Sequence, residues 1–147
     1  MIRKLFLILV ELTLASVQIA HVQQAAKIPR IGYMSGTGDL SNPGANTEAF
    51  RQGLRDLGYI EGKNILIENR YIEGKRDQLP RITAELVQLK VDVLVVTNPA
   101  STYAAKQATK SIPIVMVTTN DPVVTGIVDS LARPGGNITG LTRLTEN

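Results

Sequence analysis

The chain has 147 residues, a formal net charge of +3 and no cysteine, which excludes disulfide bonds, a thiolate nucleophile and a lipid-anchoring cysteine. Its basic residues are scattered and aromatic residues make up 4% of the sequence, so it lacks the basic stripe and the stacking platform of a nucleic-acid-binding protein. The single histidine, His21, lies near the amino terminus, so the rest of the chain has no histidine for general-base catalysis or metal binding, and we predict no cofactor.

The first 26 residues have the pattern of an export signal. Arg3 and Lys4 supply a positive start, an apolar run follows over residues 5–10, and small or polar residues extend to residue 26. The alternative is a buried or membrane-anchoring first helix, but the uninterrupted apolar run is far shorter than the ~20 residues that span a membrane. We therefore expect a cleaved signal over residues 1–26 and a soluble protein in a bacterial periplasm.

The first predicted strand, residues 28–34, runs into a small polar loop. The glycines of this loop have the spacing that begins a dinucleotide-binding fingerprint, but Ser41 stands where the third glycine belongs and the next helix begins too late. The loop is then either a solvated turn or a site for a small polar ligand. Ser35, Gly36 and Thr37 are its candidate ligand-binding residues.

A helix and an edge strand are predicted next. The helix, residues 45–57, places Phe50, Leu54 and Leu57 on one buried stripe. Residues 63–71 alternate only partly between apolar and polar side chains, which is typical of a strand at the edge of a sheet.

A second helix is predicted after Asp77, a residue type that favours the N-cap position. The apolar face of this helix consists of residues at helical spacing: Leu79, Ile82, Leu86 and Leu89. Residues 91–96 then form a continuous apolar run, which predicts a buried central strand.

A second polar loop follows this strand, at residues 97–101. Asn98, Pro99 and Ser101 stand at the start of a helix predicted over residues 101–110, where free backbone N–H groups favour a carboxylate or a similar anion. The alternative role of Ser101 is to cap that helix, and the two roles are compatible.

A third polar loop follows a strand predicted over residues 112–117. Asn120 and Asp121 are candidates there, because a carboxylate can bind an ammonium or hydroxyl group of a ligand. The simpler role of Asp121 is to cap a fourth helix that starts near Pro122. The apolar face of that helix would be Val124, Ile127, Val128 and Leu131. A short last strand is predicted over residues 138–142.

Strands and helices thus alternate along the chain, with five strands and four helices. Right-handed crossovers between parallel strands predict an α/β fold with a doubly wound, mainly parallel five-stranded sheet in the order 2-1-3-4-5. The carboxyl ends of parallel strands meet at one edge of the sheet, so the three polar loops should gather there as a small-molecule site.

An exported α/β enzyme is the alternative from another class, for example a hydrolase that uses Asp39 or Asp121 with Ser35. The sequence has no nucleophile-elbow motif that would support this alternative. A receiver-type or redox module is a further alternative. Receiver chemistry needs a phosphoryl-accepting aspartate at the end of the third strand, where this chain has Thr97 and Asn98.

Four segments of the chain resemble one known family. They are residues 29–33 (PRIGY), 49–64 (AFRQGLRDLGYIEGKN), 121–123 (DPV) and 130–141 (SLARPGGNITGL). Together they are similar to the substrate-binding proteins of ABC importers of the tryptophan/tyrosine type.

The resemblance implies a type 1 periplasmic-binding fold, in which two α/β lobes clamp a ligand between them. Residues 27–142 would be the amino-terminal lobe, and residues 143–147 would begin a crossover to a second lobe that this sequence lacks. The resemblance also implies a binding protein rather than an enzyme. Its ligand would be an amino acid or a related small molecule, and its protein partner would be the membrane permease of an ABC importer.

Overall fold

The computed structural model describes residues 27–72 and 74–142. Strands β1 (Arg30–Ser35), β2 (Leu66–Tyr71), β3 (Val93–Val96), β4 (Ile114–Thr118) and β5 (Ile138–Thr142) alternate with helices α1 (Ala45–Asp56), α2 (Leu79–Gln88) and α3 (Pro99–Ala108). The predicted export signal and the predicted crossover lie outside the described residues. Within the described ranges, no helix has the length and the apolar character needed to cross a membrane.

The five strands form one sheet in the order β2-β1-β3-β4-β5, and every neighbouring pair is parallel. The predicted fold class and strand order are therefore confirmed. Strand β2 lies at one edge, as its partial alternation indicated, and β5 lies at the other. The carboxyl ends of β1, β3 and β4 consequently meet at one edge of the sheet.

Helices α2 and α3 pack on one face of the sheet and helix α1 packs on the other. The face under α2 and α3 is the larger core, with Leu86, Leu94 and Ile114 fully buried. The opposite face is covered by α1 over β1 and β3. Towards β5 that face is open, because Val117 is 43% exposed and Leu141 is 72% exposed.

The predicted fourth helix is wrong, because the chain forms a series of turns from Pro122 onward. Three β-branched residues precede Gly126, whose φ of 68° is left-handed and interrupts a right-handed helix. The expected apolar face is split into two buried and two exposed residues: Ile127 and Val128 against Val124 and Leu131. The ammonium of Lys106 in α3 donates to the carbonyls of Gly126 (3.0 Å) and Ile127 (2.8 Å) and holds the turns in place.

The ends of the other helices differ from the predictions by one or two residues. Leu57 and Leu89 follow the last helical residues of α1 and α2, so both leave the buried stripe and are exposed. Asp77 lies in a short 3-10 turn, Arg76–Gln78, and does not cap α2. Helix α3 begins two residues early because a proline suits the first helical position.

Acid should weaken the fold partly through Asp92, which joins the start of β1 to the start of β3. Its Oδ2 accepts the backbone N–H of Arg30 at 2.8 Å, and its Oδ1 pairs with the Lys27 ammonium. The hydrogen bond from Lys27 holds the pKa of the Asp92 carboxyl below its usual value. A lowered folded-state pKa gives stability that is present above about pH 4 and is lost as the pH falls through that lower pKa.

We therefore expect the free energy of unfolding of Asp92→Asn to depend less on pH between about pH 5 and pH 3 than that of the unmodified chain. Urea unfolding at several pH values measures this difference. Asp39→Asn is the comparison. It should also reduce the pH dependence, because hydrogen bonds within its own loop lower the pKa of that exposed carboxyl. An unchanged acid response in Asp92→Asn would contradict the assignment.

Candidate ligand-binding cleft

An open cleft of about 750 Å³ lies at the carboxyl edge of the sheet, beside the first half of helix α1. None of the described residues that line it is charged. The lining residues are Tyr33, Asn46, Ala49, Phe50, Val95, Thr97, Asn98, Pro99, Val117, Thr118, Thr119, Leu141 and Thr142. The cleft thus combines an apolar wall with hydroxyl and amide groups.

The apolar side of the cleft is built on two stacked aromatic rings. Tyr33 of β1 and Phe50 of α1 have ring centroids 4.8 Å apart and planes inclined by 21°. Tyr33 is only 2% exposed, and burial raises the pKa of its phenol. We call this pair the aromatic wall. Val95 lies next to Tyr33 in the parallel register and continues the apolar surface.

The start of helix α3 forms the polar side of the cleft. Asn98 is the N-cap residue, and its Oδ1 accepts the backbone N–H of Ser101 at 2.9 Å. The residue that caps α3 is therefore Asn98. The alternative capping role of Ser101 is wrong. The hydroxyl of Ser101 is fully buried and has no hydrogen-bond partner in the part of the chain that the structure describes.

The loop after β1 folds back on itself and supports the cleft from behind. The Ser35 hydroxyl donates to the carbonyl of Thr37 at 2.6 Å, and Ser35 is 2% exposed. Gly36 donates its N–H to Thr97 Oγ1 at 3.0 Å, and a side chain at Gly36 would meet Asn98 Nδ2 at 2.9 Å. The absence of a side chain at Gly36 lets Asn98 pack against this loop.

The loop after β4 is held by Asp121. Its Oδ1 accepts the N–H groups of Val123 (2.8 Å) and Val124 (3.2 Å), so the carboxylate caps a turn where a helix was expected. The carbonyl of Asn120 accepts a hydrogen bond from the Thr142 hydroxyl at 3.2 Å. Neither Asn120 nor Asp121 is among the residues that line the cleft.

Of the predicted site residues, Asn98 and Pro99 line the cleft. The others lie beside or behind the lining: Ser35, Gly36, Thr37, Ser101, Asn120 and Asp121. A ligand-binding role for this set stays a prediction. The hydrolase alternative would need Ser35 next to Asp39 or Asp121. In the described residues each of these three side chains instead forms hydrogen bonds within its own loop.

Most of the lining residues were not predicted, because they lie on strands and on α1 rather than in the loops. One signal could have identified them. Tyr33 and Val95 lie near the carboxyl ends of two neighbouring strands with their side chains on the face that α1 covers. Asn46, Ala49 and Phe50 follow helical spacing on α1. The sheet edge and the helix face together define the cleft.

Taken together, the fold and the cleft define an α/β domain with a candidate ligand-binding cleft at the carboxyl edge of a parallel sheet. The family model described as ABC transporter substrate binding protein matches residues 41–146. The chain belongs to this family.

A curated relative is the "Tyrosine-binding protein" of Clostridioides difficile (strain R20291), which is 38% identical over 93 residues. The match covers 63% of this chain and 27% of that protein. This chain therefore spans about a quarter of the length of the relative.

Solved structures show the same partial coverage. An ABC domain from Streptococcus pneumonia in complex with L-Trp superposes with a TM-score of 0.68 at 25% identity, over 78% of this chain and 38% of that one. A ligand-free, open substrate binding protein with adhesive properties from Clostridium difficile superposes with a TM-score of 0.65 at 29% identity. That match covers 77% of this chain and 38% of the other. A conserved domain protein from Vibrio cholerae superposes with a TM-score of 0.67 at 32% identity, over 79% of this chain and 39% of the other.

Proposed function

We propose that this chain is the amino-terminal lobe of the substrate-binding component of an ABC importer. It is exported to the periplasm, where it captures an amino acid or a related small molecule for a membrane permease. The observation that carries this proposal is an uncharged cleft with an aromatic wall on one side and a helix start on the other. The printed names of two relatives, one tyrosine-binding and one solved with L-Trp, support the same ligand class.

The carboxylate of the ligand binds at the start of α3. The first turn of a helix has N–H groups without an intrahelical acceptor and carries partial positive charge. Asn98 already occupies the N–H of Ser101, which leaves the N–H of Ala100, next to the cleft residue Pro99, for the ligand. Thr97 also lines the cleft, and its hydroxyl is fixed in place because it accepts the N–H of Gly36 and donates to the carbonyl of Met34.

The side chain of the ligand packs on the aromatic wall. Flat or apolar groups gain both from burial and from offset stacking on an aromatic ring. Val95 and Ala49 extend the same surface. A ligand with a carboxylate at one end and an apolar group at the other therefore matches the two sides of the cleft.

The ammonium of an amino acid needs a partner that this lobe does not offer in its lining. No described residue that lines the cleft carries a negative charge. We infer that a second lobe supplies this charge and closes over the ligand. The share of the solved relatives that this chain covers, 38% in two cases, fits one lobe of a two-lobed protein.

Asn98→Asp tests the carboxylate position. Aspartate caps a helix as well as asparagine does. It also places a carboxylate oxygen where Asn98 Nδ2 is buried without a partner among the described residues, so we expect the free energy of unfolding to fall by about 1–3 kcal/mol. The new negative charge next to the cleft should repel a carboxylate, and we expect the affinity for L-tryptophan to fall about tenfold or more. An NMR titration that follows the signals of Tyr33, Phe50 and Ala100 measures the affinity.

The matched control is Gln107→Glu, which makes the same change of charge at an exposed position near the other end of α3. It should leave L-tryptophan binding unchanged. If Asn98→Asp binds as well as the unmodified chain, the carboxylate does not bind at the start of α3. If the unmodified chain gives no shifts with L-tryptophan, L-tyrosine or any other amino acid, the proposed function is wrong.

A further inference from the structure

Gly36 lies where the loop after β1 meets the start of helix α3. Its N–H donates to Thr97 Oγ1 at 3.0 Å, and a Cβ at this position would lie 2.9 Å from Asn98 Nδ2. Thr97 and Asn98 both line the cleft, whereas Gly36 does not. A residue behind the cleft is therefore in close contact with two consecutive residues of its polar side.

Backbone conformation does not explain a glycine at position 36. Gly36 is not among the described glycines with a left-handed φ, unlike Gly38 and Gly44 in the same loop, so alanine could adopt its conformation. A side chain would instead lack space. The atoms nearest to a Cβ at this position all belong to Asn98, with Nδ2 at 2.9 Å and both Cβ and Cγ at 3.6 Å. The shortest of these distances is well inside normal van der Waals contact.

The amide of Asn98 is not free to turn away from such a side chain. Its Oδ1 accepts the N–H of Ser101 at 2.9 Å and thereby caps α3. Oδ1 and Nδ2 belong to one planar amide, so a displacement of Nδ2 also moves the capping oxygen. Nδ2 is buried without a hydrogen-bond partner among residues 27–72 and 74–142, so it meets Gly36 by packing alone.

The backbone at Gly36 is also held in place. The carbonyl of Ser35 accepts the N–H of Ile72 at 3.1 Å, and the N–H of Gly36 is bonded to Thr97. The chain is thus joined to the end of β2 on one side and to the end of β3 on the other. A methyl group at position 36 would therefore push against Asn98, because the loop that carries it cannot withdraw without breaking these hydrogen bonds.

We propose that Gly36 is a positioning residue: the space left by its missing side chain keeps the Asn98 amide in its capping orientation and thereby fixes the start of α3, where the carboxylate of the ligand binds. The proposal rests on the proposed function of the cleft. Gly36 is not among the lining residues, so it acts on the ligand only through Asn98.

Gly36→Ala tests this role. We expect the affinity of the 147-residue chain for L-tryptophan to fall about three- to tenfold, because the methyl group displaces the capping amide at the start of α3. The hydrogen exchange of the Ser101 amide should become faster, since its N–H loses Asn98 Oδ1 as acceptor. An NMR titration measures the affinity, and exchange into D2O followed by NMR measures the second effect.

Gly32→Ala is the matched control. Gly32 lies in β1 and also lacks a left-handed φ, and a Cβ there would lie 2.8 Å from Leu94 Cδ2, in the core under α2 and α3. Both variants are overpacked to a similar degree, so both should unfold at a lower urea concentration. Only Gly36→Ala should lose affinity and protection of the Ser101 amide. An equal loss of affinity in Gly32→Ala would reduce the effect to general loosening of the core and overturn the proposal.

A second substitution at Asn98 should rescue the first. Serine caps a helix as well as asparagine does, but it has no amide to meet a side chain at position 36. Compared with Asn98→Ser alone, the double variant Gly36→Ala/Asn98→Ser should differ less than twofold in affinity and should keep the Ser101 amide protected. A three- to tenfold loss of affinity on adding Gly36→Ala to Asn98→Ser would show that the methyl group does not act through the Asn98 amide and would overturn the proposal.

The exchange of the Ser101 amide needs no ligand, so it separates this proposal from the proposed function. An unchanged exchange rate in Gly36→Ala, or a faster exchange with unchanged affinity, would overturn the proposal. If the unmodified chain binds no amino acid, the proposed function fails, whereas the exchange rate still decides whether Gly36 holds the Asn98 amide in place.

Discussion

We expect Gly140→Ala to lower the free energy of unfolding by about 2–4 kcal/mol, from backbone strain together with overpacking. Gly140 lies in β5 opposite Met116 of β4 and has a φ of 153°, which disfavours residues with a side chain. A Cβ at this position would overlap with the backbone oxygen of Met116 and would lie 2.7 Å from its Cγ. Urea unfolding followed by circular dichroism measures the loss.

Gly53→Ala is the matched control for this prediction. Gly53 lies on the exposed side of helix α1, and a Cβ there would meet no atom within 4 Å. The same substitution should therefore raise the free energy of unfolding by about 0.5–1 kcal/mol, since alanine favours a helix interior. If Gly140→Ala were as stable as the unmodified chain, the close approach of β5 to β4 would be wrong.

The effect of Gly140→Ala also concerns the cleft. The next two residues, Leu141 and Thr142, line the cleft, and the Thr142 hydroxyl holds the loop after β4 through the carbonyl of Asn120. Displacement of β5 from β4 would move Leu141 and Thr142 out of the cleft and would break the hydrogen bond from Thr142 to the carbonyl of Asn120. Stability and ligand affinity should therefore fall together in this variant.

The sheet was predictable because its strands carry strong local signals. Three continuous apolar runs and one partly alternating run distinguish buried strands from an edge strand, and handedness then restricts their order. The fourth helix was predicted wrongly because Val124, Ile127, Val128 and Leu131 have the spacing of a helical stripe over two turns, although only Ile127 and Val128 are buried in the folded chain. The φ of Gly126 and the hydrogen bonds from Lys106 become apparent only in the folded chain.

The site was only partly predictable, for a related reason. The sheet edge and the start of α3 follow from topology, which is why Asn98 and Pro99 were identified. Ser35, in contrast, forms a hydrogen bond within its own loop and is not among the lining residues of the cleft. Tyr33 and Phe50 have the pattern of core residues, and only the partial cover of the sheet by α1 shows that they also line a cleft.

The chain alone should bind L-tryptophan with a dissociation constant of about 1 mM. The cleft is open on the side towards β5, where Val117 and Leu141 are exposed, so one face of a bound ligand stays in contact with solvent. A closed site buries most of the surface of its ligand. Losing half of the binding free energy of a site with a dissociation constant of about 1 μM weakens it to about 1 mM, a thousandfold change.

Isothermal titration and the NMR titration can both measure this constant. The Streptococcus pneumonia domain that was solved with L-Trp is the control under the same conditions, since this chain covers only 38% of its length. We expect that domain to bind about a thousandfold more tightly, because a ligand held between two surfaces keeps both sets of contacts. A dissociation constant below about 1 μM for this chain alone would contradict the prediction, because residues 27–142 would then form a complete site without a second lobe.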